Sequence, residues 1–549
     1  MSSQIFDLAD RYIGELLTRS PMMSAQLGID CDRDVEDLGP ESKREKADLD
    51  RRSLAELNEL TAHSAADERA RVHMRERLEA QIAAFDSGEW MRDLRAPFGT
   101  MLMIVGHFDA LPKETADDWK RIIRRANGVN ETLRTYRDTL NVGLAENRPA
   151  SRRQALEMAE QARNYVAGRT FDKHLDAYGD GDLREELTQA FDAVYRAFED
   201  FSTYLEKEYA PGALDADGVG IERYQVAARL MTGSDLDLRE AYDWGWEELH
   251  RIEAEMEAEA ERILPGAGLD EVIDHLYRTE VVEGLDAYRA WLEETHERAF
   301  EKLDGVHFDI DPRLRELDIE IQTDSSSGAA SYSRPSEDLK RPGKTNWPVH
   351  RRDVFPVWDE LTTVFHEGVP GHHLQIGQLR VVGDSISRFS KTNMPSAYTE
   401  GWALYAERLC DELGWFETPA TRLGMLTGSA TRAARVVIDI GLHCGFEIPG
   451  AEAERHGAEW NFDVALDFLI NRGRIAPDRA RPEIVRYAGW PGQAITYKLG
   501  ERAWLAARDE AKRLQGENFD LKAWHTKALN AGPVGLDNLT AVLADVTNE

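Results

Sequence analysis

The stretch His366-Glu367-Gly368-Val369-Pro370-Gly371-His372-His373 holds three histidines and a glutamate, with two glycines and a proline between them. Imidazole nitrogens and carboxylate oxygens are ligands that zinc takes, and a catalytic zinc needs three protein ligands and an open position for water. The nearest pattern is His-Glu-x-x-His on a helix, where two histidines share a face and the glutamate is general base. This chain departs from that spacing: Pro370 stands where the second histidine belongs, and His372 comes two residues late. Six residues turn an unbroken helix through about 600°, which parts the two rings. Pro370 opposes an unbroken helix because its ring clashes with the His366 carbonyl, and Gly368 and Gly371 admit unusual backbone angles. A two-residue bulge brings His366 and His372 to one ion. His373 needs a three-residue bulge and ranks second as a ligand. The plainer reading is a Gly/Pro turn whose histidines merely pack or face solvent.

The elements around this stretch must position it. Val357, Leu361, Val364 and Phe365 fall on one face at helical spacing, so His366 and Glu367 sit at the end of a buried helix. Pro395 suits the start of a second helix. There Glu400 and Glu407, seven apart, share a face. Trp402, Leu404 and Tyr405 mark that helix as largely buried, where an unpaired carboxylate is costly. His366, His372 and Glu400 therefore form the candidate ligand set, with Glu367 to take the proton of a water. The bland alternative makes Glu400 and Glu407 a solvated stripe.

Three runs in order, His366–Gln375, Glu400–Glu407 and Pro491–Lys498, resemble the bacterial domain-of-unknown-function 885 family, over most of the chain. That family is similar in turn to the Taq-type metallocarboxypeptidases, helical gluzincins whose pattern is His-Glu-x-Gly-His, then a Glu ligand with a second Glu seven residues on. Placing Gly-His on Gly371-His372 leaves the same two-residue insertion, and Glu400 and Glu407 fall on the later pair. The resemblance implies a mainly α fold with a deep groove and a small antiparallel β-sheet beside the metal helix. It further implies that Tyr497 stabilises the oxyanion, that Lys498 or Gln493 holds a substrate carboxylate, and that Ala330, Ser331 and Tyr332 face the substrate from an edge strand.

The strand pattern is local. Asp318-Ile319-Glu320-Ile321-Gln322 alternates, Gly328–Ser333 is small and extended in character, Arg341-Pro342-Gly343 signals a turn, and Thr345–Val349 can return as a strand. An ordinary hairpin supporting the helix is an equal reading. Elsewhere helical stripes dominate, such as Leu187, Phe191, Val194, Phe198, Phe201 and Leu205. Thr115-x-x-Asp118 is a capping box, and Ser151 caps a helix that Gly168 ends. Arg435, Asp439 and His443, four apart in turn, share one face: either they line a polar cavity and touch substrate, or they form an internal ion-pair row.

Of 549 residues, 67 are basic and 101 acidic, a net charge of −34. So acidic a chain is a poor partner for nucleic acid or an anionic membrane. Cys31, Cys410 and Cys444 have no metal-type spacing, which suits a reducing compartment. The N-terminus carries no signal-like pattern and no apolar run reaches spanning length, so the sequence reads as soluble and cytoplasmic. Two halves are expected, residues 1–315 helical and 316–549 catalytic, sharing one core.

The expected function is zinc-dependent hydrolysis of a peptide amide bond, carboxypeptidase-like or oligopeptidase, with Zn2+ as cofactor. Glu367, Tyr497 and His373 are the catalytic candidates; His373 is expected to face the groove, where it donates to substrate or water. Tyr332, Gln493, Lys498, His443 and Arg435 are the substrate-binding candidates. The partner is a peptide or small amide substrate, and a homodimer is compatible with the sequence. Two alternatives stand: a non-peptide amide or ester hydrolase on the same site, and a non-catalytic binding protein that has lost metal.

Overall fold

Apolar stripes at helical spacing fold as helices wherever they recur. In the computed structural model, which describes residues 3–323, 329–349 and 352–547, Leu187, Phe191, Val194, Phe198 and Phe201 are all buried along the helix Arg184–Tyr204. Each such side chain contributes roughly 1.5–3 kcal/mol on burial. Thr115 accepts from the Asp118 amide and Asp118 returns the bond, opening the helix Ala116–Ala145. Ser151 accepts from the Gln154 amide to open Arg152–Ala167, which closes at Gly168. Met1, Ser2 and Gly328 lie outside the described residues.

The chain divides into two compact units. One comprises residues 1–61, 78–219 and 485–490, and the other residues 62–77, 220–484 and 491–549. The division thus falls near residue 220 rather than 315. The reason is packing: the helix Leu238–Ile263 lies along Pro419–Cys444, and Leu285–Leu303 lies on Leu361–Glu367. Both early helices therefore belong to the unit that holds the histidines. Tyr288, Leu292, Trp347, Val349, Phe355 and Val364 form one apolar cluster within it.

The small sheet expected ahead of the histidine-bearing helix is present, mixed rather than wholly antiparallel. The strand Gly343–Pro348 is central, with Leu317–Gln322 parallel on one side and Ser331–Ser333 antiparallel on the other. Tyr332 pairs with Thr345 in the edge strand. Ala330 packs against the apolar cluster, which corrects the expectation that it faces substrate.

Two more helices complete the frame of the site. Ser396–Glu412 and Thr496–Gln515 pack closely because glycines meet at the crossing: a Cβ on Gly401 would lie 2.4 Å from the Gly500 backbone. Trp402 and Trp504 stack edge to face beside the crossing, 4.9 Å between ring centroids. No helix among the described residues is long and apolar enough to cross a membrane.

Candidate metal centre

The insertion in the histidine motif is resolved by a full break between two helices. Leu361–Glu367 ends with the Gly368 amide donating to the Val364 carbonyl at 2.9 Å, and a new helix runs His372–Val381. The Gly371 amide reaches back to the Phe365 carbonyl at 3.0 Å, and the His373 amide to Gly368 at 3.1 Å. Position 371 must be glycine, since a Cβ there would lie 2.0 Å from the His366 carbonyl oxygen. Trp402 Nε1 donates to the Pro370 carbonyl at 2.8 Å, tying the break to the helix that carries Glu400.

Across this break the His366 and His372 rings approach to 4.8 Å between centroids. His366 Nε2 lies 3.3 Å and His372 Nε2 3.4 Å from Glu400 Oε2. One ligand atom from each of the three residues lies within 4.8 Å of the others, a grouping that could hold a metal ion. Burial opposes charge on Glu400, but His372 and His366 override it and hold its carboxyl well below the usual carboxylate range. Glu400 Oε2 accepts no well-formed hydrogen bond among the described residues. Two imidazoles and a carboxylate aimed at one point, with that oxygen left unfilled, are a donor set that fits zinc.

A second layer fixes the first. His366 Nδ1 donates to Glu407 Oε1 at 2.7 Å. Glu407 Oε2 accepts from the Thr362 hydroxyl, and Arg432 Nη2 lies 4.0 Å from Oε1. Burial works against a charged His366 ring, yet the close approach of Glu400 and the bond to Glu407 raise it to about 9. Glu407 was visible in the sequence as the second of two glutamates seven apart. Thr362 and Arg432 had no signal of their own. Glu367 is buried beside the triad, its Oε2 without a hydrogen-bond partner among the described residues, and burial pushes its carboxyl up despite the attraction of His366 and His372.

Of the remaining candidates, Tyr332 and Tyr497 border the triad. The Tyr332 ring stacks on His372 at 6.4 Å, and that of Tyr497 lies near-parallel to His366 at 6.3 Å. His373 does not face a groove. Its Nε2 donates to the Leu314 carbonyl at 2.6 Å and its Nδ1 accepts from the Tyr332 hydroxyl at 3.1 Å, because the helix restart turns it toward the sheet. It positions Tyr332.

Three substrate-binding expectations are corrected. Lys498 is buried, pairing with Glu248 at 2.7 Å and with Glu501. Its charge is spent on structure. Arg435 donates to Glu483 at 2.8 Å and lies 4.6 Å over the Tyr497 ring, so it supports Tyr497. His443 is buried against the Tyr224 ring. Gln493 is buried at the start of the turn into the Tyr497 helix, where its carbonyl accepts from Thr496. Asp439, the middle member of the 435–443 row, accepts from the Tyr224 hydroxyl at 2.6 Å and from the Gly492 amide at 2.9 Å. It anchors that turn.

No curated protein matches the chain in sequence. Its fold is shared with two solved proteins described as putative lipoproteins. The one from Colwellia psychrerythraea is 19% identical, with a TM-score of 0.87 over 100% of this chain and 99% of that one. The one from Shewanella oneidensis, described as of unknown function, is 16% identical, with a TM-score of 0.73 over 99% and 100%. The family model that describes bacterial proteins of unknown function, DUF885, matches residues 21–543, so the chain belongs to the domain-of-unknown-function 885 family.

Proposed function

We propose that the chain is a zinc-dependent hydrolase of peptide amide bonds. The observation that carries this reading is the convergence of His366, His372 and Glu400 within 4.8 Å beside the buried Glu367, whose Oε2 has no hydrogen-bond partner among the described residues. Zinc, when bound, supplies Lewis-acid polarisation of the scissile carbonyl and acidifies a water. Glu367 takes the proton of that water and passes it to the departing amine, the work of a general base turned acid. Burial suits it to the task by raising its proton affinity. The rings of Tyr497 and Tyr332 border the ligand set, and of the two Tyr497 is assigned to the developing oxyanion, since the Tyr332 hydroxyl is engaged by His373.

Metal analysis tests the reading first, followed by hydrolysis of a panel of peptides and esters by zinc-loaded protein. One zinc per chain and cleavage of peptides are expected. Failure to retain zinc after reconstitution overturns the reading.

A further inference from the structure

Arg380 stands seven residues beyond His373 on the helix His372–Val381, and so on the same face. Two turns, roughly 10 Å, separate them. Arg380 is only 6% exposed, and its Nε, Nη1 and Nη2 find no hydrogen-bond acceptor among the described residues. A guanidinium is a five-donor fork made for carboxylate or phosphate, and to bury one unfilled is costly.

Arg380 has cationic neighbours. Burial, and then the charge of Arg334, weaken its hold on its proton, to about 10. Arg334 is lowered by burial and by Arg341, and Arg341 by burial. Arg341 Nη1 donates to the Arg334 carbonyl at 3.1 Å, which fixes the two side by side at the end of the edge strand. Glu337, the carboxylate whose charge acts on Arg380, is already engaged by Arg388 through two bonds of 2.8 Å. Arginines thus stand together here in a chain of net charge −34, and among the described residues the Arg380 guanidinium is unfilled. Tyr332 links this cluster to the ligand set: its ring stacks on His372, its hydroxyl bonds to His373 on the helix that carries Arg380, and Arg334 follows it two residues on at the end of the edge strand.

We propose that Arg334, Arg341 and Arg380 form a subsite for the C-terminal carboxylate of the bound peptide, within about three extended residues of the scissile bond. This rests on the hydrolase reading for the position of that bond. It gives the site an end preference, and it assigns to the arginines the carboxylate role that Lys498 cannot serve.

The test is calorimetric binding to zinc-loaded E367Q protein, which needs no turnover. The probes are N-acetyl-trialanine, its C-terminal amide, and N-acetyl-Ala-Glu-Ala-amide. The free acid should bind roughly tenfold to a hundredfold tighter than the amide, as charge-assisted bonds to a carboxylate imply. R380M and R334M should each abolish that preference with zinc content unchanged. R380M should melt no lower than its parent, because it removes an unfilled buried charge; should R380M fail to fold, R334M decides. Equal binding of acid and amide, or a preference that survives in the variants, overturns the proposal. So does binding of the glutamyl amide as tight as that of the free acid, which would make the subsite a reader of side chains. Acid preference without hydrolysis by the unmodified protein would sink the hydrolase reading alone, and cleavage of acid and amide at equal rates would sink this one alone.

Discussion

Glu407 Oε1 accepts a 2.7 Å hydrogen bond from His366 Nδ1, and this leaves His366 Nε2 aimed at Glu400. The bond fixes both the tautomer and the orientation of the ring, as an outer carboxylate does for a metal-bound histidine. Glu407 is itself held by Thr362 and faces Arg432, so it has little freedom to move.

Replacing Glu407 by glutamine should therefore weaken zinc binding by about tenfold to a hundredfold while the fold persists. Competition with a chromophoric chelator measures the affinity. An unchanged affinity would remove Glu407 from the site.

The adjacent histidines should behave differently. His372→Ala removes a member of the triad and should abolish stoichiometric zinc. His373→Ala should leave zinc in place and lower activity, since it frees the Tyr332 hydroxyl and the Leu314 carbonyl. Metal content of the two purified variants decides. The opposite pattern would make His373 the ligand.

What the sequence revealed follows from what each residue had to satisfy locally. Thr115 and Ser151 announced their helices because a cap is a bond to an amide three residues on. The His366–His372 offset was legible for the same reason: Pro370 and the two glycines cannot continue a helix. The roles of Lys498, His443 and His373 were not legible. Each depends on a partner distant in the chain, Glu248, Tyr224 and Leu314 respectively. Nothing in the spacing of Arg435, Asp439 and His443 distinguishes a polar cavity from an internal anchor. That distinction comes only from Glu483 and Gly492 arriving opposite them. Arg380 carried a faint signal, its seven-residue offset from His373, which means little until the Tyr332 strand is placed alongside.

Glu367→Gln should keep zinc and fold but lose hydrolysis by about 10²–10⁴-fold, because an amide cannot accept the proton of water. The variant should be no less stable, since the carboxylate it replaces is buried and its charge opposed by burial. Turnover within a few-fold of the parent on any substrate found would exclude Glu367 as the base.

Stability should fall with acid through buried neutral histidines. Burial, and then Arg508, lower His525 to about 3; burial, and then Arg77, lower His73 to about 3. Below the ordinary value near 6.5, the unfolded chain takes up protons that the folded one refuses. Each such histidine therefore costs roughly 1.4 kcal/mol of stability per pH unit between 6.5 and its folded value. Above 6.5 the effect vanishes. Urea unfolding at pH 7.0, 6.0 and 5.0 should show this slope, and His525→Gln, which retains an acceptor for the Tyr405 hydroxyl, should flatten it by one histidine's share. An identical slope in the variant would mean that His525 is charged in the folded protein.

Asp439 connects the protein interior to Tyr497. It is fully buried, and its Oδ2 accepts from the Tyr224 hydroxyl and the Gly492 amide. Gly492, at φ +77°, is the pivot of the turn that delivers Tyr497 beside His366. Asp439→Ala strips an acceptor from two buried donors, each costing about 1–3 kcal/mol when left unmade, and it releases the turn. Asp439→Asn keeps one acceptor oxygen and should cost less. Both variants should retain zinc, because none of His366, His372 and Glu400 depends on Asp439. The loss should appear in kcat rather than KM if Tyr497 acts on the oxyanion, an interaction made only in the transition state. Alanine should lose more than asparagine. An Asp439→Ala protein that melts lower but keeps its kcat would show that the turn is structural and that Tyr497 plays no part in the reaction.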